Sequence, residues 1–331
     1  MADGIYVLAN DVVYDQLIAL LNSLEVNAGE FPVCIIPYDN RLENVHQAIQ
    51  TRDRVEILED KNCISKWEEF SAQVWQTHPV AKTTWRKQDV FQVYRLGMHR
   101  RFCGFDGPFE RFIYLDADIL VLNSLKPIFQ KLDDNDWVVY DFQYKDPSHV
   151  YNLKSNKLFD IFDRSRIENE IFCAGMYASK RGLFDGSRLD WLISQLNQGE
   201  AEILYMPAPD QSVLNYMLMR SEIPIYNFAQ CLPETQRTGC CVTSSHFEMR
   251  NNVLYDRGNR LTYLHYIGIP SNTFKQVCMA HNIGFPYRDL FLHYRYLSEP
   301  EKQPKFTTNP KPYNATPGLA RRVLRKLGFI H

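Results

Sequence analysis

The sequence predicts an α/β protein with a mainly parallel central sheet flanked by helices. Three observations carry this. Apolar runs alternate with helix-spaced segments in β-α-β-α order within the first 60 residues. The first of these runs, Ile5 to Ala9, is continuously apolar, and the β-α-β-α order argues for a mainly parallel sheet with helices on both faces. A further apolar run, Arg111 to Leu122, comes after about 50 more residues and carries two aspartates at its centre, Asp116 and Asp118.

Taken in order, Ile5-Tyr6-Val7-Leu8-Ala9 reads as the first strand, and Asn10 or Asp11 can cap the helix after it. Val13, Leu17, Leu20, Leu21 and Leu24 recur at helical spacing, and Asn27-Ala28-Gly29 ends that helix. Residues 33–37 and 55–58 read as the second and third strands. One long helix is predicted over 81–102, its apolar residues including Trp85, Val90, Phe91, Tyr94 and Met98, and Gly104-Phe105-Asp106-Gly107-Pro108 breaks it. Ser124 caps a short helix over 125–132, and 137–140 forms a strand. Residues 143–169 and 228–260 have no clear period. A glycine-interrupted strand is expected over 171–177, helices over 181–197, 210–219 and 271–281, and strands over 224–226 and 261–265. Residues 1–298 form one domain in this reading. Residues 299–317 are a Pro-rich linker, and 318–331 is a basic amphipathic segment with the chemistry for peripheral contact with an anionic membrane.

Composition narrows the function. The net charge is -2, which leaves no general nucleic-acid footprint. The eight cysteines form no Cys-x-x-Cys pair and no zinc spacing. No stretch approaches the roughly 20 apolar residues of a membrane span, and the start of the chain lacks a secretory pattern. A cytoplasmic protein, in membrane contact only through 318–331, is the expectation. No Gly-x-Gly-x-x-Gly follows the first strand, which argues against a dinucleotide enzyme.

The chemistry centres on Asp116 and Asp118. On an extended chain, residues i and i+2 share a face. Two adjacent carboxylates repel and pay desolvation unless a cation holds them, and oxygen ligands suit Mg²⁺ or Mn²⁺. An Asp-x-Asp after an apolar strand also fits a haloacid-dehalogenase-type phosphatase with Asp116 as nucleophile, although that fold places the pair near the chain start. The motif order points elsewhere. Phe112-Ile113-Tyr114-Leu115-Asp116-Ala117-Asp118-Ile119-Leu120-Val121-Leu122, continued by Leu125-Lys126-Pro127-Ile128-Phe129, resembles the metal-motif strand of glycosyltransferase family 8, which includes the glycogenins and bacterial retaining galactosyltransferases. Ala9-Asn10-Asp11 with Tyr14 resembles the uridine-contact loop. Trp85-Arg86-Lys87 falls where the family carries a basic residue near the donor. Ala174-Gly175, then Asp210-Gln211 with Leu214-Asn215, then His265-Tyr266-Ile267-Gly268 resemble its later motifs in the same order.

The resemblance implies a GT-A fold and a hexose moved from a nucleotide-diphosphate sugar, UDP above all, to an acceptor hydroxyl with retention. The acceptor is a glycan, a lipid or a small molecule. It implies Mn²⁺ (or Mg²⁺) on Asp116, Asp118 and His265. It puts the donor against Leu8, Ala9, Asn10, Tyr14, Lys87, Asp116, Ala117, Gly175 and Gly268, with Gln211, Asp210 and Lys87 in catalytic roles. Two departures stand out. Cys173 replaces the Asn of an Asn-Ala-Gly, and Ile269-Pro270-Ser271 replaces a Lys-containing run, with Lys275 the nearest substitute. These departures keep open a non-catalytic nucleotide-sugar-binding relative.

Overall fold

The computed structural model describes residues 3–315. The segment 318–331, and any membrane contact it makes, lies outside the described residues. Strand β1 (Asp3–Ala9) leads through a short 3-10 turn into α1 (Tyr14–Asn27), then β2 (Val33–Pro37), α2 (Glu43–Ile49), β3 (Val55–Ile57) and α3 (Lys61–Thr77). Two short helices follow, α4 (Ala81–Arg86) and α5 (Leu96–His99). A 3-10 helix over Arg100–Phe105 then leads into β4 (Arg111–Asp116) and, after a turn, β5 (Ile119–Val121). Next come α6 (Lys126–Lys131), β6 (Trp137–Val139), α7 (Leu158–Ile161), α8 (Arg164–Asn169), β7 (Met176–Lys180), α9 (Gly186–Asn197), α10 (Pro209–Arg220), β8 (Ile225–Asn227) and α11 (Phe228–Cys231). The chain continues with β9 (Glu248–Arg250), β10 (Val253–Asp256), β11 (Asn259–Arg260), β12 (Tyr263–His265), α12 (Ser271–Cys278), β13 (Ile283–Gly284), α13 (Arg288–Arg295) and β14 (Lys311–Pro312).

The central sheet has the order β3-β2-β1-β4-β7-β6-β8. It is parallel except for β7, which runs against both neighbours. Side-chain alternation divides its buried residues between two cores. Tyr6, Leu8, Cys34, Ile36, Phe112 and Tyr114 face one side, packed by α3, α9 and α10. Ile5, Val7, Ala9, Val33, Ile35, Ile113 and Leu115 face the other, packed by α1 and α6. A third cluster joins α12 and α13 to the small sheet of β5 and β12.

The structure corrects several sequence expectations. The helix predicted over 81–102 is two short pieces. The backbone is left-handed at Asp89 (φ 59) and Arg95 (φ 54), which breaks the i to i-4 ladder between them. Phe91, assigned to the apolar stripe, is consequently 77% exposed. Amphipathic α3 and α13 were not anticipated, nor was the β9–β11 meander within 228–260. The strand expected over 171–177 begins only at Met176. Asp116 and Asp118 do not lie on one extended strand, because β4 ends at Asp116 and the chain turns through Ala117 and Asp118 before β5. Beyond residue 298, β14 pairs parallel with β13, and Asn282 Nδ2 donates to the Thr308 carbonyl at 2.7 Å. No helix among the described residues is long and apolar enough to cross a membrane.

Candidate active site

The parallel strands β1 and β4 are neighbours, while the chain between them runs out to β2 and β3 on the far side of β1. In open α/β sheets a crevice forms beyond the carboxyl ends of strands at such a reversal. The cleft found here does so. It has two connected parts, of about 350 and 440 Å³, which share Arg95, Met98, Asp116, Asp118 and Ser271. The first part is bounded by Leu8, Ala9 and Asn10 at the end of β1, by Val12, Val13, Tyr38 and Arg41, and by Ala117. The second is bounded by Arg101, Cys173, Gly175, Asp210, Gln211, His265 and Gly268.

Where the two parts meet, Asp116, Asp118 and His265 each present a ligand atom, all within 4.8 Å of one another. Register explains how a residue so distant in sequence arrives there. β12 runs antiparallel to β5 with His265 opposite Ile119, and the Tyr266 amide donates to the Asp118 carbonyl at 2.9 Å. His265 Nε2 stands 3.2 Å from Asp118 Oδ1, while its Nδ1 faces the Cys173 thiol at 4.0 Å. Burial pushes the Asp118 carboxyl up, but His265 outweighs it and holds the group below its ordinary value. Asp116 is raised, because burial and then Asp118 exceed the pull of Arg101. Two carboxylates and an imidazole form a donor set that could hold a divalent cation. Gly175 makes room for the cluster: a Cβ there would meet His265 Cε1 at 2.3 Å and Asp116 Oδ2 at 3.1 Å.

Arg101 organises the second part of the cleft. It is 1% exposed, and its Nη2 lies 3.1 Å from Asp116 Oδ1 and 3.0 Å from Asp210 Oδ2. Nη1 donates to the Ala174 carbonyl at 2.6 Å, and the guanidinium lies over the Tyr114 ring at 4.8 Å. Tyr114 shares the Asp116 face of β4, and its hydroxyl donates to Asp116 Oδ1 at 2.8 Å. Asp210 stays ionised: burial opposes its charge, but Arg101, His99 and Arg95 outweigh it and hold the carboxyl below its usual range. In the first two turns of α10, Gln211 and Asn215 dock on the 172–175 segment. Gln211 Oε1 accepts from the Ala174 amide at 3.0 Å, and Asn215 Oδ1 accepts from the Phe172 amide at 3.0 Å.

The fold and this geometry can be set beside known proteins. No protein-family model matches the chain, and no curated protein matches it. Among solved structures, the apo form of the bifunctional glycosyltransferase WbbM is similar over 92% of this chain and 52% of its own, with 13% identity and a TM-score of 0.51. The present chain thus spans about half the length of that protein. The fold is of the GT-A glycosyltransferase type. The galactosyltransferase LgtC, solved with donor and acceptor sugar analogs, is similar over 87% of this chain and 99% of its own, at 15% identity and a TM-score of 0.49. Mouse xyloside xylosyltransferase 1 covers 68% and 85%, at 12% identity and a TM-score of 0.45.

Most residues singled out in the sequence meet in this cleft: Leu8, Ala9, Asn10, Asp116, Ala117, Asp118, Gly175, Asp210, Gln211, His265 and Gly268. Two do not. Lys87 is exposed at the C-terminal cap of α4, away from the cleft lining. Tyr14 is turned aside under the Arg295 guanidinium, 5.5 Å from its ring, and Val12 and Val13 line the cleft there instead. Asn10 is occupied locally: its Oδ1 accepts from the Val12 amide at 3.0 Å and its Nδ2 donates to Asp39 at 2.9 Å. Sequence reading missed Arg101, Arg95 and Tyr38. His99-Arg100-Arg101 is a run of basic residues in which nothing marks the third as buried.

Proposed function

We propose that this protein is a metal-dependent glycosyltransferase. It moves a hexose from a nucleotide-diphosphate sugar, most simply a UDP-sugar, to an acceptor hydroxyl with retention. The observation that carries the reading is the Asp116–Asp118–His265 cluster at the carboxyl ends of β1 and β4, in the middle of a two-part cleft. The first part suits a nucleoside, the second a sugar and its acceptor. A divalent cation held by Asp116, Asp118 and His265 supplies Lewis acidity toward the charge that develops on a departing diphosphate.

The chain's own groups have separable tasks. Arg101 holds Asp116 and Asp210 together at one guanidinium nitrogen, Nη2, so the metal ligand and the start of α10 keep a constant separation. Arg95 borders both parts of the cleft and supplies positive charge for the diphosphate, the role the sequence gave to Lys87. Gly268, with φ +83 and open space around its Cβ position, lets backbone approach a phosphate. Gln211 carries a neutral amide, held by the Ala174 amide and by the His149 carbonyl, which accepts from Nε2 at 3.0 Å. An amide is a poor covalent nucleophile, so in this reading retention comes from departure and attack on one face of the sugar rather than from double displacement.

Calorimetry with UDP and Mn²⁺ tests the reading. Binding that requires Mn²⁺ and vanishes in Asp118→Ala is expected. Slow Mn²⁺-dependent hydrolysis within a panel of UDP, GDP and ADP sugars then identifies the donor. Binding without hydrolysis of any of them would leave a nucleotide-sugar-binding protein in place of an enzyme.

A further inference from the structure

Asp116 has a pair of carboxylate oxygens, and the protein already holds one of them. The Tyr114 hydroxyl donates to Oδ1 at 2.8 Å. Arg101 Nη2 donates to the same oxygen at 3.1 Å. An ionised carboxylate offers roughly two acceptor sites per oxygen, so these bonds fill Oδ1. Oδ2 borders the Gly175 position, where a Cβ would meet it at 3.1 Å and the His265 ring at 2.3 Å. A cation shared with Asp118 and His265 therefore meets Asp116 through Oδ2.

Tyr114 has little freedom to release Oδ1. Its ring is 0% exposed and stacks on Tyr177, with centroids 5.0 Å apart and 15° between planes. Tyr177 stacks in turn on Trp137 at 4.6 Å and 13°. The sheet builds this column: Tyr114 on β4 lies opposite Tyr177 on β7, and β6, which carries Trp137, is the next strand. The Arg101 guanidinium lies over the Tyr114 ring at 4.8 Å. A buried phenol needs a hydrogen-bond partner, and a ring clamped in a stack cannot turn to find another. The hydroxyl stays on Asp116.

Cations differ in what they ask of a carboxylate. Ca²⁺ takes roughly 6–8 oxygens and accepts bidentate carboxylates, whereas Mg²⁺ demands near-octahedral geometry. Octahedral oxygen sites also suit Mn²⁺. A carboxylate with one oxygen committed to a phenol cannot chelate. We propose, on the cation reading of the cleft, that Tyr114 is a positioning residue. By holding Oδ1 it makes Asp116 a one-oxygen ligand and biases the site against Ca²⁺, toward the smaller Mn²⁺ or Mg²⁺.

Mn²⁺ electron paramagnetic resonance on the intact chain, with Ca²⁺ as competitor, tests this role. The unmodified protein should bind Mn²⁺ at least about 10-fold more tightly than Ca²⁺. Tyr114→Phe removes the hydroxyl and keeps the ring in the column. It should reduce that preference by about 10-fold, the lower end of the ~10–100-fold effect of groups that orient metal ligands. Tyr177→Phe removes a hydroxyl from the same column, one that donates to the Arg101 carbonyl at 3.3 Å, and should keep the full preference. An unchanged preference in Tyr114→Phe overturns the proposal. Equal falls in both variants do so too, because packing of the column would then be responsible. Ca²⁺ binding as tightly as Mn²⁺ to the unmodified protein overturns it without any variant. Absence of Mn²⁺ binding to the unmodified protein, with or without UDP, is a different failure: it removes the cation site itself, and this role with it.

Discussion

Two spaces on either side of α5 are built from the same short stretch of chain, yet they differ in kind. Arg100 and Arg101 are consecutive. Arg100 faces a separate cavity of about 630 Å³ between α3, α4 and residues 87–95, where its side chain is 16% exposed and pairs with one partly exposed glutamate. Arg101 faces the cleft, where it is 1% exposed and holds two carboxylates. Both residues lie in the 3-10 helix, where a one-residue step swings the side chain by about a third of a turn. One arginine therefore acts as a wall, and the other as the centre of a buried charge network. Identical side chains have different energetic weight because the dielectric around them differs.

The largest effect should come from replacing the buried member of that pair. Arg101→Leu leaves Asp116 and Asp210 without their cation, and truncating one side of a buried charge cluster costs about 3–5 kcal/mol. Arg100→Leu should cost no more than about 1 kcal/mol, as a partly exposed pair does. Urea denaturation of the two variants measures the difference, and equal losses would break the comparison. Next in size, Asp118→Asn should weaken Mn²⁺-supported UDP binding by more than ~100-fold, because even changes in groups that orient metal ligands cost ~10–100-fold. Gly175→Ala should fall within that ~10–100-fold range for Mn²⁺ affinity, since its Cβ would push on His265 and Asp116. Both are read by calorimetry.

A subtler difference is in pH dependence. His99, in the wall between the two spaces, is fully buried, and burial pushes it down to about 4 from 6.5. The native protein then holds fewer protons than the unfolded chain between those values. The stability linked to His99 is present above pH 6.5 and lost as pH falls toward 4. On the cleft side, burial pushes Asp141 up to about 7 from 3.8, against the backbone amides of Gln143 and Cys173. Here the native state holds more protons. That stability is present below pH 3.8 and lost as pH rises toward 7. Denaturation midpoints across pH 4–8 should show the alkaline-side loss disappear in Asp141→Asn and the acid-side loss persist. Smallest of all, Lys87→Ala should leave UDP and Mn²⁺ binding unchanged, because the side chain is outside the cleft lining.

Much of this was legible in the sequence, for identifiable reasons. Continuous apolar runs announced buried strands, and β1, β2 and β4 are where those runs fall; β3 is an edge strand with Glu56 exposed. Asp116 and Asp118 announced a cluster in need of positive partners, because close carboxylates repel, and Arg101 and His265 lie against them. Their placement by strand alternation was wrong in detail: the chain turns after Asp116, and convergence comes from the turn and from β12 rather than from a shared strand face. The motif order brought Asp210, Gln211, Gly175 and His265 into the same cleft. Lys87 and Tyr14 were misplaced because both depended on local continuity. The helix expected to carry Lys87 toward the donor is broken at Asp89 and Arg95, and Tyr14 is captured by Arg295, which lies far along the chain.

By itself, then, the sequence determined the quantities that depend on near neighbours: the α/β class, the positions of the first strands, and the pairing of two carboxylates at Asp116 and Asp118. Only the tertiary structure decided which of two adjacent arginines is buried, that Phe91 stands exposed beside a second cavity, and that Arg95 rather than Lys87 borders the cleft. Side-chain burial and pairing are set by groups brought together from distant parts of the chain. No local pattern encodes the direction from which those groups arrive.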